Sequence, residues 1–108
     1  MLLDVGMVIY SNGGLGKYLQ RYVITRVTPK LAYVKINAAF EMKFDREVEP
    51  KYFYRKDRVR FDTVRYWIED EETKLLYYKL ELVGELKKFE FTDLPLGKLE
   101  RIMAIMKE

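Results

Sequence analysis

The feature that most constrains this chain is the run Phe40-Glu41-Met42-Lys43-Phe44, in which apolar and charged residues alternate at a period of two. Only a strand with one face on a core and the other in water uses such a pattern throughout. Ala32, Val34 and Ile36 repeat the alternation just upstream, with Tyr33 and Lys35 opposite them, and Thr28-Pro29-Lys30 precedes that run. Proline fixes φ and cannot donate to a ladder, so Pro29 predicts a tight corner and a hairpin. In the arm before it, Tyr22 and Ile24 share a face but Val27 falls out of step; a bulge near Thr25-Arg26 is expected to return Val27 to the core side.

Around this Tyr22–Phe44 scaffold, Gly6–Tyr10 reads as a short strand and Ser11-Asn12-Gly13-Gly14-Leu15-Gly16 as a dense turn signal. Residues 45–60 hold no sustained period and contain Pro50, which predicts a long surface excursion. A further strand is expected over Thr63–Ile68, with Val64, Tyr66 and Ile68 on one face. Residues 70–89 read two ways: Leu76, Tyr78, Leu80 and Leu82 alternate as in a strand, while Leu75, Leu76, Leu80, Leu82, Val83 and Leu86 fall in one broad helical arc. Acids at Glu69-Asp70-Glu71-Glu72 and cations at Lys87-Lys88 offset a helix dipole and favour the helix. Thr92 or Asp93 is expected to cap a last helix carrying Leu96, Leu99, Ile102, Met103 and Met106. The expected fold is α+β: one domain over residues 1–108, with a small SH3-like or related antiparallel β-barrel over about 6–68 and a two-helix tail over about 70–107.

The chain contains neither histidine nor cysteine. Imidazole bases, thiol nucleophiles, disulfides and ordinary zinc or copper sites are thereby excluded, so a non-enzymatic role without cofactor or metal is expected. No apolar run approaches the ~20 residues of a membrane-spanning helix, and a cytoplasmic setting with no membrane partner is expected. The net charge of +3 conceals an asymmetry: residues 17–60 carry 12 Lys/Arg against five Asp/Glu, and residues 61–108 carry eight against 11. A basic front half points to an anionic partner.

Gly13-Gly14-Leu15-Gly16-Lys17 invites comparison with a phosphate-binding loop, but Ser11 and Tyr18 stand where that motif needs glycine and Ser/Thr, and a strand follows, so a hairpin connection is favoured. The acids at 69–72 diverge around a helix start, which disfavours a metal site. Glu41, Asp45, Glu47 and Glu49 contain carboxylate pairs of the kind a glycosidase uses, but ion pairing with Lys43 and Lys51 accounts for them better.

The segment Lys51–Phe61 stands apart, because cations alternate there with flat rings. Single-stranded nucleic-acid binders combine these two residue types to neutralise phosphates and stack bases. Tyr52 and Tyr54 are assigned to stacking, and Arg55, Lys56, Arg58 and Arg60 to phosphates. Lys17, Arg21, Arg26, Lys30 and Lys35 extend the basic set. The competing reading places these rings in the core with the cations as solubilising flanks; the competing role is a module that binds a host protein or its own copy through a sheet edge or the acidic Glu69–Glu72 helix start.

Tyr22-Val-Ile-Thr-Arg-Val-Thr-Pro-Lys-Leu-Ala32 together with Lys43-Phe44-Asp45-Arg46-Glu47 resembles a group of small proteins encoded by bacteriophages and related mobile elements. That resemblance implies a compact β-unit followed by one or two helices and a mobile-element origin. The group has no assigned activity, so no functional residue is carried over.

Overall fold

A computed structural model provides the structure and describes residues 1–12, 19–59 and 62–108. The glycine-rich loop, Lys17, Arg60 and Phe61 lie outside the described residues. Strands β1 (Val8–Ser11), β2 (Gln20–Val23), β3 (Arg26–Val27), β4 (Leu31–Asn37), β5 (Phe40–Asp45) and β6 (Tyr66–Ile68) precede helices α1 (Glu71–Lys87) and α2 (Leu96–Met106). The molecule is therefore α+β.

The strands pair antiparallel as two three-stranded sheets, ordered β2-β1-β6 and β3-β4-β5, rather than closing into a barrel. The bulge expected at Thr25-Arg26 is instead a break at which the chain changes sheets. The Ile24 N–H donates to the Met7 carbonyl at 2.9 Å beside the first sheet, and the next N–H, Thr25, donates to Tyr33 in the second, also at 2.9 Å. One peptide thus hands the ladder over while Ile24 stays buried. Pro29 occupies the corner as expected: Thr28 N–H donates to the Leu31 carbonyl, and its Oγ1 accepts from Leu31 N–H.

Alternation sends Ala32, Val34, Met42 and Phe44 into one core with Leu3, Ile9, Ile24, Val48, Phe53 and Tyr66. The tip of the β4–β5 hairpin departs from this rule, since Ile36 and Phe40 are exposed and the register shifts between Lys35 and Asn37. Asn37 Oδ1 accepts from Ala39 N–H at 2.8 Å and closes the tip.

Residues 45–60 are more than a surface excursion. Val48 and Phe53 are buried, and Phe53 exchanges both backbone hydrogen bonds with Tyr66 at 2.9 and 2.8 Å. The expected strand over Thr63–Ile68 accordingly shortens to Tyr66–Ile68, yet Val64 and Ile68 pack against the core as the alternation requires.

The chain divides into two compact units, Met1–Leu75 and Leu76–Glu108. Residues 71–87 form a helix, which resolves the double reading of that stretch. Asp70 caps it through Oδ1, which accepts from Thr73 N–H at 2.6 Å, and hydrogen bonding first from the Thr73 side chain and then from this N–H holds the Asp70 carboxyl below the usual range. The second helix begins later than Thr92 or Asp93 would place it. Those residues lie in a 3-10 turn, Phe91–Asp93, and the helix starts after Pro95, whose carbonyl accepts from Lys98 and Leu99.

Candidate nucleic-acid interface

Cross-strand register decides which side chains share a face. Ile9 stands opposite both Tyr22 and Ile68, and all three turn toward the core. Tyr10 stands opposite both Arg21 and Trp67, so these three occupy the other face, and Arg65 shares that side with Trp67 by period two. Tyr10 is buried there; its hydroxyl donates to Glu69 Oε2 at 2.6 Å. Burial, and then the Glu69 carboxylate, push its pKa to about 12.

Beside this face lies a concavity of about 660 Å3, whose walls include Lys51, Tyr52, Arg65, Trp67 and Thr73. The Tyr52 and Trp67 rings meet edge to face, 6.1 Å apart at 89°. The Trp67 indole N–H donates to Thr73 Oγ1 at 3.1 Å, which fixes the ring against the start of α1. Arg65 and Lys51 lie 5.3 and 5.8 Å from the Tyr52 ring centroid. The result is a corner of two perpendicular rings flanked by two cations.

Tyr52 and Tyr54 are 41% and 42% exposed, while Phe53 between them is 6% exposed. Alternation through 52–54 thus splits the aromatics: Phe53 stacks in the core at 6.3 Å from Tyr66, and its neighbours face out. Arg58 covers the Tyr54 ring at 4.2 Å.

The cations assigned to phosphates differ from one another. Arg55 makes a two-pronged bond to Asp57 at 3.0 and 3.1 Å, which holds that carboxyl below its ordinary range. Lys56 Nζ donates to Asp45 at 2.8 Å. Arg58 bonds only a backbone carbonyl, that of Asp62 at 3.4 Å, and among the described residues no carboxylate lies within ion-pair distance of Lys51, Arg58 or Arg65. Arg60 lies outside the described residues. In the wider basic set, Arg26 pairs with Glu41 at 3.0 Å and covers Tyr33, whereas Arg21 shares the face of Trp67.

Glu41, Asp45, Glu69 and Asp70 each serve a different partner. Glu41 pairs with Arg26 and Asp45 with Lys56, rather than with Lys43 and Lys51; Glu69 and Asp70 serve Tyr10 and the helix cap. Among the described residues no three carboxylates gather as a metal site.

Lys51, Arg65 and Trp67 were outside the residues assigned from sequence. The signal for the last two lay in the alternation of Val64, Tyr66 and Ile68, which puts Arg65 and Trp67 on the opposite face from the core. Comparison with known proteins finds no matching protein-family profile, no matching curated protein and no matching solved structure.

Proposed function

We propose that this protein is a non-catalytic nucleic-acid-binding module whose contact surface runs from the Tyr52–Trp67 corner, past Lys51 and Arg65, to Tyr54 and Arg58. The observation that carries this reading is the pairing of half-exposed rings with cations that have no carboxylate partner among the described residues. Unstacked bases gain most from exposed rings, and backbone phosphates from cations not already neutralised. Arg55 and Lys56, tied to Asp57 and Asp45, contribute less in this reading than Arg58, Lys51 and Arg65. An SH3-like ancestry of the two-sheet core and a cytoplasmic, mobile-element setting belong to the same proposal.

Trp67 is the only tryptophan in the chain, so its fluorescence reports directly on the site. Titration of nuclease-treated protein with single-stranded oligonucleotide is expected to quench it saturably. About three phosphate contacts give a log–log salt slope near −2. Absence of quenching at low salt overturns the reading.

A second reading, a phage or mobile-element protein that engages or inhibits a host protein, is supported by the exposed apolar side chains of the helical unit. Capture of one host protein by a chain whose fluorescence ignores nucleic acid favours it.

A further inference from the structure

Helix α1 buries a single residue, and that residue is polar. Every residue of α1 is described, and Thr73 alone is buried, at 9% exposure. An apolar side chain would serve packing as well at this point, whereas a buried hydroxyl needs partners. Its surroundings follow from how short the connection before it is. The β6 ladder runs on to Glu69, whose N–H donates to the Val8 carbonyl at 2.9 Å, and α1 begins at Glu71, so Asp70 alone separates sheet from helix. The first turn of α1 thereby comes back against Trp67 on the outer face of β6, all within the Met1–Leu75 unit.

The Thr73 hydroxyl is used in both directions. It accepts from the Trp67 indole N–H at 3.1 Å, and it hydrogen-bonds the Asp70 carboxylate, whose Oδ1 also accepts from the Thr73 N–H at 2.6 Å. A hydroxyl has one proton to give and lone pairs with which to accept, so the carboxylate takes the proton and the indole meets the oxygen. Helix cap and ring are thus joined in one chain of bonds, from Trp67 through Thr73 to Asp70. At the far end of that chain the indole meets the Tyr52 ring at 89°, in the concavity that Lys51 and Arg65 also line. The N–H is the only polar group an indole has, so no other hydrogen bond can set the rotation of this ring.

We propose that Thr73 is a positioning residue of the nucleic-acid interface: its hydroxyl fixes the Trp67 ring in the corner with Tyr52, and the first turn of α1 is therefore part of the site. This inference rests on the nucleic-acid reading and deepens it. A ring that is already held need not be ordered when a base arrives, and sparing the ordering of one side chain is worth about two- to tenfold in affinity. The Thr73 side chain touches no nucleic acid in this arrangement; it acts through Trp67.

The test uses the full chain, nuclease-treated. Trp67 is the only tryptophan, so the protein has one indole N–H resonance in a nitrogen–proton correlation spectrum. In the wild type this proton is expected to exchange with water more slowly than the indole proton of free tryptophan. Thr73→Val keeps the shape and removes the acceptor; exchange is expected to speed up, and affinity for a fluorescein-labelled single-stranded oligonucleotide, read by anisotropy, to fall about two- to tenfold. Thr73→Ser keeps the oxygen and is expected to restore both. In a Trp67→Phe background, Thr73→Val is expected to leave affinity unchanged, because the residue through which it acts is gone. A merely structural threonine would instead lower the urea midpoint and leave exchange and affinity where they were. A wild-type indole proton that exchanges as fast as that of free tryptophan, a valine variant that binds as tightly as the wild type, or a serine variant as weak as the valine one overturns this inference and leaves the nucleic-acid reading standing. Absence of binding by the wild type at low salt overturns both.

Discussion

Tyr52 is 41% exposed and lies outside the core, which is why a single substitution there separates binding from stability. Tyr52→Ala removes a half-exposed ring, so oligonucleotide affinity is expected to fall by about 1–3 kcal/mol, while the urea midpoint moves little; fluorescence titration and urea melts check the two. Arg58→Ala is expected to weaken all sequences alike, and Arg55→Ala to weaken binding less because Asp57 already holds its guanidinium. Arg46, inside the Lys43–Glu47 box, serves the fold instead. Its guanidinium donates to the Leu3 carbonyl at 3.2 Å and the Thr28 carbonyl at 3.4 Å, tying the N-terminus to the Pro29 corner. Buried tyrosines set a pH limit. Burial raises the pKa of both Tyr10 and Tyr66 to about 12, above the usual 10. The folded state therefore holds its phenol protons more tightly, and stability present below pH 10 is lost as pH rises toward 12, by on the order of 2 kcal/mol for each. Urea melts from pH 8 to about 12 are expected to show this decline, and Tyr10→Phe to reduce it.

Helix α1 owes its start to Asp70, whose carboxylate accepts from Thr73 N–H. Asp70→Ala is expected to cost about 1 kcal/mol through the lost cap, read as a lower melting temperature. The β4–β5 hairpin is the opposite case: it is specified locally and buried centrally, with the Phe44 ring 5.6 Å from Phe53 and 4.9 Å from Tyr66. Phe44→Ala is expected to cost about 3–5 kcal/mol and to unfold the β-unit near room temperature. Before β1, Gly6 turns the chain with φ at +88°, and no neighbour approaches its missing Cβ. Gly6→Ala thus carries only the backbone penalty, about 1 kcal/mol. The alternating elements could be located from the sequence, because period two is a local property of a half-buried strand. Where the ladder changes sheets could not, because Ile24 and Thr25 differ in partners and not in any local pattern that marks a change of sheet.

At the scale of the whole molecule, the charge asymmetry bears on the proposed interface. The basic front half supplies Lys51 and Arg58 to the proposed interface, and the back half supplies Arg65. Added salt is expected to weaken oligonucleotide binding steeply. Oligonucleotide titration at low and high salt measures the response.

The amino-acid sequence by itself determined the α+β class, the Pro29 hairpin, the buried face of Ala32, Val34, Met42 and Phe44, and the presence of cations among rings near Tyr52. These follow from periodicity and from fixed properties of single residues, which need no knowledge of distant partners. Tertiary structure alone decided that the strands divide between two sheets, that Phe53 turns inward while Tyr52 and Tyr54 face out, and that Asp57 and Asp45 occupy Arg55 and Lys56. It also brought Trp67 and Arg65 beside Tyr52, from which they are well separated along the chain. Partner choice depends on which backbone runs past which, and that is a property of the assembled chain.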